Sequence, residues 1–360
     1  MDTKTIDRRR FLIGTGALAG AGGLVGPWAQ PAFAQTKPSQ MVLMTWGGLW
    51  GDCMRDSADA AFEKETGVKI IQDRGSSPPE RITKIKVSVD DQKFDLVQLH
   101  DGIVPLAVSQ GALEPINRNS PRLTNLKNVP DRFIQSHWVA MIYSPLGIVY
   151  NTKLVKEPPK SFADLWRPEF KGRIVLPEIT HSIGPYIIPI GAIAAGKGPN
   201  DEDAGFEMLR KMADQQPIWA KDTDTIMNSL RNEEAVVGLL YKSQTFTVQG
   251  WNTPVEWVFP SEGAILYTSG TGIAKGTKNL ELAETYLNLT LDPKVQIAAA
   301  EKFNYPGTNT KTEALLTPEL QARVRAAPGE MDRLIDLDHA SMAAKRPDWT
   351  SRWNRIIAAG

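Results

Sequence analysis

The sequence predicts an α/β protein in which strands and helices alternate around a mostly parallel sheet. Three observations predict it. Short apolar runs recur along the chain and lead into glycine-bearing or polar loops; segments with helical spacing lie between them; and 360 residues, 42% of them hydrophobic, are enough for two ordinary cores. Lysine plus arginine and aspartate plus glutamate each number 41, so the formal net charge is zero and the electrostatic footprint of a nucleic-acid partner is absent. The single cysteine excludes an intramolecular disulfide and a thiolate cluster.

Residues 1–34 read as an address. Asp7-Arg8-Arg9-Arg10-Phe11-Leu12 gives a positively charged start, Ile13 to Val25 is weakly apolar and rich in Gly and Ala, and Ala32-Phe33-Ala34 supplies small residues for cleavage before Gln35. The paired arginines followed by Phe-Leu point to the twin-arginine (Tat) export machinery, with an ordinary Sec signal as the alternative. Glycines and Pro27 interrupt the segment short of the ~20 apolar residues of a membrane span. Cleavage near Ala34 leaves 37 basic against 39 acidic residues. The expected product is a soluble, mildly acidic protein of the periplasm.

The elements follow in order. Met41 to Thr45 is a strand, Trp46-Gly47-Gly48 a loop, and Asp52 to Thr66 a helix with Ala58, Ala61 and Phe62 at helical spacing, stopped by Gly67. Val68 to Ile71 is the next strand, Glu80 to Asp91 a helix, Phe94 to Leu99 a buried strand that runs into His100-Asp101-Gly102, and a further helix ends near Gly111. After Ile142-Tyr143-Ser144-Pro145 a second unit begins: Gly147 to Asn151 is a strand, and Ser161 with Asp164 forms a capping box on a short helix closed by Pro168 and Gly172. Arg173 to Leu176 leads into a loop with Glu178, Thr180 and His181, and Ala235 to Tyr241 into a loop of Lys242-Ser243-Gln244. Val255 to Phe259 and Gly263 to Ala274 are extended, the latter crossing back to the first unit. Helices follow at Leu280–Leu291, at Pro293–Phe303 with Asp292 as N-cap, and at Pro318–Ala326 capped by Thr317.

Tyr150-Asn151, the block Ser161-Phe162-Ala163-Asp164-Leu165-Trp166-Arg167-Pro168-Glu169-Phe170-Lys171-Gly172, Phe259-Pro260-Ser261-Glu262-Gly263 and Asn304-Tyr305-Pro306 carry a resemblance over most of the mature chain. Together they resemble extracytoplasmic solute-binding proteins of ATP-binding-cassette (ABC) importers, specifically the spermidine/putrescine-binding branch. The resemblance implies a two-lobe, type II periplasmic binding protein, each lobe a mostly parallel sheet flanked by helices, joined by two extended crossovers. Residues 35–143 plus 270–360 form the first lobe and 144–269 the second. It implies a small-molecule ligand trapped by hinge closure and delivered to an ABC permease and its ATPase, with a sensor kinase as the alternative receiver. It also implies a monomer without cofactor, metal or catalytic residues.

Ligands of such folds sit at the carboxyl ends of the strands. The candidate ligand-binding residues are therefore Trp46, Gly47 and Gly48; His100 and Asp101; Glu178, Thr180 and His181; Tyr241 and Lys242; and Tyr267 and Ser269. Trp46 is placed to stack on a ligand, while Asp101 is equally placed to cap the following helix. Thr180 and His181 precede a helix whose N-terminus suits a carboxylate. By resemblance, Ser269 stands where a polyamine binder has an aspartate, Tyr267 and Tyr241 keep aromatic positions, and Glu178 falls near a family carboxylate. Lys242 adds a positive charge that repels a dication. An anion beside a new cation suits a carboxylate-bearing ligand such as an amino-acid derivative or an opine-like compound, with a polyamine as the alternative. On this reading Lys242→Ala weakens a carboxylate ligand and Ser269→Asp favours a polyamine. A metal-dependent periplasmic enzyme is the rival of another class. His100, His137, His181 and His339 lack metal-ligand spacing, Tyr267 has no adjacent tyrosine for ferric ion, and no Gly-x-Ser-x-Gly elbow supports a hydrolase.

Overall fold

The computed structural model describes residues 37–359, so the export-signal reading of residues 1–34 lies outside the described residues. Strand β1 (Gln40–Met44) buries Met41, Leu43 and Met44. Trp46 and Gly47 follow, and the chain turns at Gly48, whose φ of +58° is a conformation that favours glycine, into α1 (Gly48–Met54). A π-helical turn, Arg55–Asp59, carries α1 into α2 (Ala60–Thr66), which ends at left-handed Gly67 as its sequence predicts. Next come β2 (Lys69–Asp73), α3 (Pro78–Val87), β3 (Leu96–His100) and α4 (Val104–Ser109). Helix α3 starts before the expected Glu80, because Ser77 and Glu80 form a capping box and Pro78 fits the first helical position.

Strand β4 (Trp138–Asn151) is the longest. It absorbs Ile142-Tyr143-Ser144-Pro145, which the sequence reading treats as a boundary, because Pro145 lies within a continuous pairing to the crossing strand β9 described below. The Ser161–Asp164 capping box forms as expected and opens a short 3₁₀ turn. Then follow β5 (Ile174–Pro177), α5 (Ile187–Ala194), α6 (Glu202–Ala213), β6 (Ile218–Ala220), α7 (Thr223–Arg231), β7 (Val237–Tyr241), α8 (Lys242–Gly250) and β8 (Val255–Val258). The chain continues with β9 (Ile265–Ile273), α9 (Leu280–Thr290), α10 (Pro293–Phe303), α11 (Pro318–Val324) and α12 (His339–Ala359). Asp292 and Thr317 cap α10 and α11 as expected. Lys242-Ser243-Gln244 is not a loop but the first turn of α8.

One sheet runs in the order β2-β1-β3-β9-β4-β7-β5-β6, with β8 paired to β4. Pairing is parallel at β1–β2, β1–β3, β5–β6 and β5–β7, and antiparallel wherever β4 or β9 takes part. The sheet is therefore mixed, antiparallel at its centre and parallel in its outer parts. Two large buried clusters flank that centre. The first gathers β1, β3, the start of β4 and α9; the second gathers the end of β4, β5, β7, α5 and α6. Strands β5 and β7 are buried on both faces. Ile174, Leu176 and Leu239 point into the second cluster, whereas Val175 and Leu240 point into a third, against α7. Their continuous apolar runs follow from that two-sided burial. Helix α12 sits in residues the sequence reading groups with the first lobe, yet Trp349 and Trp353 are buried in the second cluster and Trp353 packs 4.8 Å from Trp219.

Candidate functional site

The strand register assembles the site. On β9, Ser269 pairs with His100 of β3 on one side and Ile142 of β4 on the other, and Tyr267 lies two residues away on the same face. Trp46 leaves the carboxyl end of β1 beside them. Two cavities share Trp46 and Tyr267 as wall residues. The larger, about 660 Å³, is also lined by His100 and Ile103, by Thr180 and Ser182, and by Arg346 of α12. The smaller, about 220 Å³, is a chamber of rings completed by Trp50, Phe303 and Tyr305, with Ile142 and Ser269.

Trp46 is held from below by Arg81, whose guanidinium carbon lies 4.7 Å from the ring centroid. Arg81 is fully buried and donates to the backbone carbonyls of Ser76 (2.9 Å), Gln98 (2.7 Å) and Thr45 (2.8 Å). Burial lowers its pKa to about 10, so it stays charged at neutral pH. Trp50 is aimed by its indole N–H, which donates to Gln98 Oε1 at 2.8 Å. Arg346 differs: its guanidinium makes one hydrogen bond, to the Ile179 carbonyl at 2.6 Å, and no ion pair among the described residues. Neither cavity is lined by an aspartate or glutamate among the described residues. Among the described residues Arg346 is the only charged side chain lining the larger one, because burial pulls the His100 imidazole down to about 4 and leaves it neutral.

Five of the expected residues meet here: Trp46, His100, Thr180, Tyr267 and Ser269. His100 stacks on Tyr267 (ring centroids 6.1 Å apart), and Tyr241 supports Tyr267 from behind at 4.6 Å without lining either cavity. The others do different work. Gly47 and Gly48 form the turn into α1. Asp101 lines neither cavity and does not cap α4, whose N-cap position Ile103 holds after a 3₁₀ turn over Asp101–Ile103. It is buried, and it accepts hydrogen bonds from the Gly102 amide, the Tyr186 hydroxyl, and the Thr268 amide and hydroxyl. Burial opposes its charge, but His339, 3.7 Å away, and these donors hold its carboxyl below the usual range. His181 is a buried turn residue: its Nδ1 accepts from the Ile183 amide and its Nε2 meets Thr223 Oγ1 at 3.2 Å. Glu178 lies outside both linings. Lys242 turns away from the cavities. Its Nζ donates to the Arg325 carbonyl at 3.0 Å and sits 5.8 Å over the Trp257 ring, because the first turn of α8 points it toward the 325–330 segment.

Sequence reasoning missed Arg346, Trp50 and Phe303, and it used Tyr305 only as part of a motif. Asn304, left-handed at φ +56°, ends α10 and separates the two rings, a C-cap signal visible in Phe303-Asn304-Tyr305-Pro306.

The profile described as bacterial extracellular solute-binding protein matches residues 57–328. The chain belongs to this family. The spermidine/putrescine-binding periplasmic protein of Escherichia coli (strain K12) is 28% identical over 270 residues, covering 72% of this chain and 76% of that protein. The gamma-aminobutyric acid-binding protein of Pseudomonas aeruginosa is 22% identical over 353 residues, covering 89% and 94%. The crystal structure of an ABC transporter from Clostridium perfringens superposes with a TM-score of 0.76 at 25% identity, covering 88% of this chain and 99% of that one. This solute-binding protein is accordingly a transporter's binding component and not an enzyme. Among its described residues no helix is long and apolar enough to cross a membrane.

Proposed function

We propose that this solute-binding protein captures a small carboxylate-bearing solute in the Trp46–Arg346 cleft and passes it to an ABC permease and its ATPase. Its relatives bind a polyamine in one case and gamma-aminobutyric acid in another, so family membership leaves the ligand open. The observation that carries the choice is the charge of the wall: an arginine with most of its donors unspent, and no carboxylate to hold an ammonium group. A guanidinium presents donors in a fixed fork that matches a carboxylate. Trapping by closure of two lobes is supported by the two separate buried clusters, which β4 and β9 connect. Helix α12 then belongs with the second lobe, and Arg346 moves with it. Export through the Tat route, cleavage near Ala34 and monomeric action in the periplasm complete the reading; the periplasmic relatives support the compartment.

A thermal-shift screen against amino acids, opine-like conjugates, dicarboxylates, polyamines and metal ions tests it. Ligand at 100 times its Kd adds about 2.7 kcal/mol of stability. Carboxylates are expected to raise Tm. Stabilisation by spermidine or putrescine alone would overturn the reading.

A further inference from the structure

Carboxylate capture at Arg346, on which this inference rests, accounts for one of the two chambers. The other is walled by Trp46, Trp50, Tyr267, Phe303 and Tyr305, with Ser269 at its base. Faces of such rings attract a cation. A primary ammonium, however, brings three N–H donors that need acceptors. The chamber offers few: Ser269 Oγ donates to the Leu99 carbonyl at 3.4 Å and engages the Tyr267 hydroxyl, the Tyr305 hydroxyl is already engaged by Ser243 and Gln244, and among the described residues no carboxylate lines it. Donors buried without partners are penalised. A trimethylammonium group carries no N–H donor and spreads its charge over methyl groups, so it gains the attraction of the rings without that penalty.

We infer that the ligand is a betaine-type zwitterion, its carboxylate on Arg346 and its quaternary ammonium in the ring chamber. Isothermal titration of the purified protein with γ-trimethylaminobutyrate, γ-aminobutyrate, butyrate and putrescine tests the inference. The trimethylated compound is expected to bind about tenfold tighter than its primary-amine counterpart. Equal or reversed affinities of these two would overturn the quaternary preference while leaving carboxylate capture standing. Tightest binding by putrescine, or no binding by any carboxylate, would sink carboxylate capture and the inference with it. Phe303→Leu is expected to weaken the trimethylated ligand about fivefold more than it weakens butyrate. Ser269→Asp, which restores an acceptor, is expected to reverse the order in favour of γ-aminobutyrate; an unchanged order would defeat the donor-counting argument. The unsubstituted protein's ligand series decides the matter should either variant fail to fold.

Discussion

Two arginines serve the cleft, one behind Trp46 and one in the wall of the larger cavity, and they are used in opposite ways. Arg81, beneath Trp46, gives three donors to backbone carbonyls just after β1 (Thr45), within β3 (Gln98) and in the loop between β2 and α3 (Ser76). Arg346, in the wall of the larger cavity, makes one such bond. A buried cation with most of its donors spent, three of five, is a fastener, since desolvating it is tolerable only when its hydrogen bonds are made. A cation with donors left over, facing a cavity, is free to receive an anion.

The largest effect should come from removing the fastener. Arg81→Met orphans three carbonyls and unseats Trp46, and urea denaturation is expected to show a loss of about 3 kcal/mol or more. A loss under ~1 kcal/mol would make the two arginines equivalent and break the comparison. Arg346→Gln should do the reverse, weakening a carboxylate ligand about a hundredfold in calorimetry while stability stays within ~1 kcal/mol of the parent. Acid should act next. Burial depresses His100 and His181 from the ordinary 6.5 to about 4, so the unfolded chain takes up protons that the folded chain refuses. Their contribution is complete above pH 6.5 and declines as pH falls toward 4, by roughly 1 kcal/mol per histidine at pH 5.5. Asp59, raised by burial to about 6, and His339, raised by Asp101 against its burial, act in the opposite sense. The check therefore compares urea midpoints of the parent and of His181→Gln at pH 7, 5.5 and 4.5; a variant that loses more than the parent on acidification refutes the sign. The smallest effect is expected at Lys242. Its ammonium is spent on the Arg325 carbonyl, so Lys242→Ala should leave ligand affinity within about twofold. A tenfold loss would return Lys242 to the cleft and restore the original expectation from its sequence position.

Much of this architecture was legible because it is local. Capping boxes at Ser161, the N-cap at Asp292 and the stop at Gly67 are properties of a few neighbouring residues, and they appear where the sequence puts them. Helix α8 escaped notice because its buried positions include Ser243 and Thr245, which blur the apolar period. The cavity was half legible. Trp46, His100, Tyr267 and Ser269 sit at strand ends or in one strand, where alternation fixes their direction. Arg346 could not be read this way. Its importance depends on α12 packing against α4 and α6, and nothing in Ala343-Ala344-Lys345-Arg346-Pro347 announces those neighbours.

That placement of α12 has a practical reach. The rings that would greet a solute all lie before residue 306, and the guanidinium that would hold its charge lies beyond residue 338. A proteolytic nick or a premature stop before His339 would also strip Trp349 and Trp353 from the second cluster and His339 from Asp101. Damage confined to the far end of the polypeptide would therefore blind a receptor whose aromatic surface had already been made.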